Sequence, residues 1–197
     1  MQPIILASAS PRRKHLLKLT GLPFYVHPSK VDEPNANGEK PADYAEKLAQ
    51  LKAVDVAQEY SDALIIGADT IVVLGNEILG KPVSKQDAHT MLQKLSGETH
   101  DVITGVSLIF KFNGTIDQKL TFHATTSVTF SVLSDAEIST YIATGSPFDK
   151  AGGYGIQDDT GALFIERIDG DYYNVVGFPL NLFYNHLKAI KPEFFSL

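Results

Sequence analysis

The chain has 197 residues, 44% hydrophobic and 20% charged, which is enough for one compact α/β domain or two small lobes and excludes a disordered tail. A net charge of -6 argues against a broad nucleic-acid surface, and the absence of cysteine removes disulfides, zinc–thiolate sites and a cysteine nucleophile. No apolar run approaches the ~20 residues of a membrane helix, and residues 1–9 lack the length and basic leader of a cleaved signal, so a cytoplasmic protein without a membrane partner is expected.

Residues 3–7 read as a short buried strand, followed by a helix over 11–19 that stops near Gly21. A second strand is expected at 24–27, and the polar stretch 31–40, with Pro34, Asn35, Asn37 and Gly38, reads as a loop. From 41 to 60, Tyr44, Leu48 and Leu51 together with Ala45 and Ala49 recur at helical spacing and give one apolar face. Residues 63–74 form an apolar strand that turns at Gly75-Asn76 and returns antiparallel over 77–80. Ser84 caps a helix that runs to Leu95 and ends at Gly97. Long strands over 101–112 and 120–133 meet around Asn113-Gly114, and a helix covers 134–144 with Asp135 and Glu137 in its first turn. Gly152, Gly153 and Gly155 suggest a tight turn or a close backbone approach, before a strand at 163–168 and a final helix over 179–188. Helices interspersed with long hairpins predict a mixed sheet within one continuous fold, not a pure βαβ stack.

Four features bear on chemistry. Ser10 suits an N-cap and Pro11 the first helical position, yet Arg12, Arg13 and Lys14 then fill the first turn. Cations at a helix amino end have the wrong sign and each costs ~0.3–1 kcal/mol when exposed. A bound anion, naturally a phosphate, would remove that penalty; a solvated basic turn is the alternative.

Asp69 interrupts an apolar strand, so its carboxylate is expected to be paired, hydrogen-bonded or on a metal, unless it merely caps the turn at Gly67-Ala68. Pairing Leu74 with Glu77 and counting outward sets Lys81 opposite Thr70, one step from Asp69. An ideal pleat would face Asp69 and Lys81 apart, so a shared site needs a bulge or a break near Gly80; an ordinary edge-strand lysine is the other reading. Lys52 lies on the apolar face of its helix, where snorkelling explains it as well as function does. Glu33, in a loop, is by itself an ordinary solvated carboxylate. Walker, Gly-x-Ser-x-Gly and His-Glu-x-x-His patterns are absent, and the six histidines are scattered and read as structural or exposed.

Leu6-Ala7-Ser8-Ala9-Ser10-Pro11-Arg12-Arg13, Val31-Asp32-Glu33, Lys52-Ala53, Gly67-Ala68-Asp69-Thr70, Leu79-Gly80-Lys81-Pro82, the run 149–157 ending in Gln157, and Gly170-Asp171-Tyr172-Tyr173-Asn174-Val175-Val176-Gly177 resemble, in order, the Maf family of septum-formation proteins. The resemblance covers nearly the whole chain and implies a single Maf-like domain over 1–197. The fold it implies is an elongated α/β one of the inosine-triphosphatase type, a mixed sheet with flanking helices and two lobes around a central cleft. It further implies a nucleoside triphosphate pyrophosphatase of the dTTP- and UTP-preferring branch, with Mg²⁺ or Mn²⁺ as cofactor. A non-catalytic nucleotide-binding regulator of septation is the alternative, and relatives often form homodimers.

By the same resemblance Asp69 is the proton acceptor, acting with Glu33, Lys52 and Lys81. Ser8 and Arg13 bind phosphate, Glu33 and Asp69 hold the metal, and Arg12, Thr70 and Gln157 select the base. The residue types suit these tasks. Arg13, Lys52 and Lys81 can spread the charge of a triphosphate, two carboxylates offer hard oxygen ligands to Mg²⁺, and a Gln amide can pair with the N3–H and carbonyl edge of uracil or thymine. The run Gln157-Asp158-Asp159-Thr160-Gly161 departs from the family in being one residue longer and more acidic than the usual Gly-rich turn.

Overall fold

The computed structural model describes residues 2–157 and 159–195. Seven strands form one mixed sheet in the order β2-β1-β3-β5-β6-β7, with β4 paired to β3 alone. They are β1 (Ile4–Leu6), β2 (Phe24–Val26), β3 (Ala63–Leu74), β4 (Glu77–Leu79), β5 (Thr99–Phe112), β6 (Thr115–Phe130) and β7 (Ile165–Asp169). The helices are α1 (Pro11–Lys18), α2 (Pro41–Ala57), α3 (Lys85–Leu95), α4 (Asp135–Ala143), α5 (Tyr172–Val176) and α6 (Leu180–Ile190). The expected mixed sheet with flanking helices is therefore present. Among the described residues no helix is long and apolar enough to cross a membrane.

The chain divides into two compact units. Unit 1 comprises residues 1–69, 104–124 and 177–197, and unit 2 comprises 70–103 and 125–176.

In unit 1, β1 pairs in parallel with both β2 and β3, and its three residues are buried, as a strand covered on both faces requires. α2 lies on this sheet through Tyr44, Ala45, Leu48, Ala49, Ala53, Val56 and Ala57. Small residues let the backbones meet. A Cβ built on Gly67 of β3 would stand 2.1 Å from the Ala49 carbonyl oxygen, and one on Gly105 of β5 would stand 2.3 Å from that of Ala45. Glycine is required at both positions because main chain, not a yielding side chain, occupies the space. α2 ends at Ala57 and not at 60: the N–H groups of Gln58, Glu59 and Tyr60 bond back three residues and tighten the last turn.

In unit 2, β3 and β4 pair antiparallel with Leu74 opposite Glu77, the register that the Gly75-Asn76 turn predicts. Pairing ends at Val72 with Leu79, so Lys81 lies beyond the ladder and is not opposite Thr70. β4 therefore breaks off just before Gly80. Ser84 caps α3 as expected; Ser134, expected inside the next helix, instead caps α4 in a full capping box with Glu137.

Gly152 and Gly153 have positive φ; the Gly152 N–H donates to the Gly80 carbonyl at 3.0 Å, and a Cβ on Gly152 would meet Val72 at 3.0 Å. The close-approach reading of this Gly-rich run therefore holds. His100 is buried among Phe130 and Tyr154, with Nε2 2.7 Å from the Tyr154 hydroxyl, and burial lowers its pKa to about 4.

Two expected strands are corrected and one helix is added. Residues 163–164 belong to a 3-10 turn (Asp159–Phe164), and β7 begins only at Ile165. α5, a five-residue helix, has no counterpart in the sequence reading. β6 starts at Thr115 and ends at Phe130, where the Ser131 N–H turns to the Phe164 carbonyl; its exposed polar start is recruited through the turn at Asn113 and Gly114, both at positive φ, and not by apolar alternation.

Replacing Gly67 with Ala should cost about 3 kcal/mol or more in urea unfolding, because α2 must lift off β3. Gly80→Ala, with nothing within 4 Å of its new methyl, should change stability by less than about 1 kcal/mol.

Candidate active site

The approach of α2 to β3 decides where Lys52 falls. Ala53 is one of the residues against Gly67, so the side chain just before it in α2 reaches Asp69, two positions farther along β3. Lys52 Nζ donates to Asp69 Oδ1 at 2.5 Å and stands 2.7 Å from Glu33 Oε1. The Lys52 and Asp69 side chains are only 14% and 11% exposed, whereas that of Glu33 is 51% exposed. Lys52 therefore does not snorkel to the rim; it bridges two acids. Of the readings open for Asp69, the paired one is observed.

Glu33 is held in its loop from both sides. Ser29 Oγ and the Lys30 N–H both donate to Asp55 Oδ2, at 2.7 and 2.9 Å, and the Tyr44 hydroxyl donates to the Pro34 carbonyl at 2.8 Å. The Ser29 and Lys30 hydrogen bonds hold the Asp55 pKa below its ordinary value. Desolvation, and then the charges of Glu33 and Asp69, push the Tyr44 pKa up, so its proton stays available for this bond. Ser29 and Asp55 escaped the sequence reading, and Tyr44 entered it only as part of the apolar face of α2. The one available signal was a hydroxyl-bearing ring on an otherwise aliphatic helix face.

Ser10 caps α1 by accepting the Arg13 N–H, with Pro11 at the first position, as predicted. Arg13 is not a solvated cation. Its Nε donates to the Gly177 carbonyl at 3.0 Å and its Nη1 to the buried Ser8 hydroxyl at 3.3 Å. Desolvation lowers the Arg13 pKa, opposed by the charge of Asp69, while Arg12 adds to the lowering and Glu33 opposes it. Unit 1 thus brings together Ser8, Arg13, Glu33, Lys52 and Asp69, with Arg12 adjoining.

The remaining predicted residues belong to unit 2. Thr70 follows Asp69 in β3 and is half-buried; Lys81, past the end of β4, and Gln157 are exposed. Asp158, in the run that departs from the family pattern, lies outside the described residues.

As a cation site, the donor set is a pair of carboxylates in unit 1. Among the described residues there is no group of three or more His, Cys, Asp or Glu able to hold a metal alone. Two hard oxygen ligands, with the rest supplied by water and phosphate, suit Mg²⁺ or Mn²⁺ and do not suit a closed all-protein cage.

Known proteins give this arrangement a context. The fold is that of the Staphylococcus aureus Ham1 protein, with a TM-score of 0.54 at 15% identity, covering 96% of this chain and 100% of that one. This likeness bears out the expected fold class. Residues 3–190 match the model of the Maf-like proteins. A dTTP/UTP pyrophosphatase of Bacillus anthracis is 48% identical over 191 residues, 97% of each chain. A dTTP/UTP pyrophosphatase of Halalkalibacterium halodurans is 47% identical over 196 residues, 100% of this chain and 98% of that protein. The chain belongs to the Maf family.

Lys52→Met keeps the apolar stem but leaves Asp69 without its cation, and should lower unfolding free energy at pH 7 by about 3 kcal/mol. Glu33→Gln, at a far more exposed position, should lower it by less than about 1 kcal/mol in the same urea titration.

Proposed function

We propose that this protein hydrolyses nucleoside triphosphates between the α and β phosphates, releasing a monophosphate and pyrophosphate, with dTTP and UTP preferred. The observation that carries this reading is the Lys52 ammonium, shared between Glu33 and Asp69 at 2.7 and 2.5 Å, in the neighbourhood of an Arg13 that feels the charge of both acids. The names of relatives 47% and 48% identical support the pyrimidine preference.

In this mechanism Arg13 and the Ser8 hydroxyl receive phosphate oxygens at the amino end of α1, where the helix dipole also favours an anion. Lys52 fixes the direction of the Asp69 carboxylate and adds positive charge for the triphosphate, to which Lys81 also contributes. Asp69 accepts the proton of the attacking water as pyrophosphate departs. Glu33 and Asp69 would hold Mg²⁺ or Mn²⁺, which supplies charge for the phosphate oxygens and lowers the pKa of water. Arg12, Thr70 and Gln157 choose the base, with the Gln157 amide offering one donor and one acceptor to the uracil or thymine edge.

Asp69→Asn is nearly isosteric and should reduce pyrophosphate release from dTTP by at least about 10²-fold, through loss of the general base. Release at the unmodified rate would remove Asp69 from this role. Gln157→Ala should narrow the preference for dTTP and UTP over dCTP by about tenfold in kcat/KM. Undiminished preference would transfer base selection to other residues.

A further inference from the structure

The block ending in Gly177 has no task in the proposed chemistry, although one of its carbonyls meets the site. Gly177 belongs to unit 1 and accepts the Arg13 Nε–H at 3.0 Å, across 164 residues of sequence. Its φ is +123°, a region that L side chains rarely adopt. The residue after it, Phe178, is fully buried, with its ring 5.1 Å from that of Phe183, whose N–H in turn bonds to the Pro179 carbonyl at 2.9 Å. The Gly177 carbonyl is thus anchored to the core of unit 1.

A guanidinium is planar, so two hydrogen bonds to acceptors on separate segments fix its orientation and the torsions of its long stem. Arg13 has such a pair: Nε on the Gly177 carbonyl and Nη1 on Ser8 Oγ, an oxygen that also accepts the Ser10 N–H at 3.2 Å. The same two acceptors would hold the fork in place before any anion arrives. Affinity gained in this way comes from ordering that no longer has to occur on binding.

We propose that Gly177 is a positioning residue for the triphosphate site: its main-chain carbonyl, aimed by a backbone conformation that favours glycine, pre-sets the Arg13 guanidinium for the phosphates. The proposal rests on the reading of Arg13 as a phosphate ligand. It also accounts for a glycine where no ligand-facing side chain is needed. An added Cβ strains the +123° backbone and turns the carbonyl away from Nε.

Steady-state kinetics of dTTP hydrolysis on the unmodified protein, Gly177→Ala, Arg13→Ala and the double variant test it. Gly177→Ala should raise KM about tenfold, the size of one charge-assisted hydrogen bond lost in part, with the larger share of the change in KM and not in kcat. In the Arg13→Ala background the same change should add less than about twofold, because both substitutions act through one group. An equal factor in both backgrounds, or an unchanged KM in folded Gly177→Ala, would overturn the proposal. Arg13→Ala with unaltered kinetics would overturn the phosphate reading of Arg13 and the proposal with it. An impaired Arg13→Ala beside a silent Gly177→Ala would overturn the proposal alone. If Gly177→Ala does not fold, NMR of the Arg13 Nε–H in the unmodified protein decides. A slowly exchanging signal with an order parameter near the ~0.85 of rigid backbone is expected, and rapid exchange with a value below about 0.6 would contradict the proposal.

Discussion

Lys52 has to satisfy Glu33 and Asp69 with one ammonium, and it does so from a helix face whose buried residues, Tyr44 apart, are all aliphatic. Most of unit 1 serves that arrangement. Asp69 sits in an apolar strand where an unpaired charge would be costly, so the lysine has to come close, and it can do so only if the backbone of α2 comes close as well. Gly67 and Gly105 supply that approach. The loop carrying Glu33 is then tied down by Asp55 and Tyr44, both on the same helix, so one element sets the position of three of the participating groups.

A charged cluster of this kind is poor economy if stability is the aim, since a buried pair often gains no more than a well-packed apolar substitute. On the proposed function it makes sense as prepared electrostatics, in which an ammonium and a guanidinium are fixed in advance of the phosphate charge and two carboxylates would handle a divalent ion and a water proton. The basic first turn of α1 fits the same logic. Its cations oppose the helix dipole, yet Arg13 is locked by Ser8 and Gly177 and does not extend into solvent.

Much of the fold was legible because it rests on local rules. β3 begins and ends where the apolar run does, the Gly75-Asn76 turn sets the register of Leu74 against Glu77, and Ser10 and Ser84 cap the helices they precede. Two short helical pieces were not legible: the 3-10 turn before β7 and the five-residue α5 are too brief for a helical period to register. The pleat count overran at Lys81, which lies past the strand end expected at Gly80, and pairing stops at Leu79. Individual site residues stood out as anomalies, a carboxylate in an apolar strand and cations at the wrong helix end, but their partners did not. Lys52 meets Asp69 only through tertiary packing, and a main-chain acceptor such as that of Gly177 leaves no mark on the residue type that a charge pattern could reveal.

The most direct test of the whole account is the identity of the products. Phosphorus NMR of dTTP incubated with the unmodified protein and Mg²⁺ should show dTMP and pyrophosphate rising together in equal amounts. Accumulation of dTDP with orthophosphate, or bound dTTP that is never turned over, would contradict it.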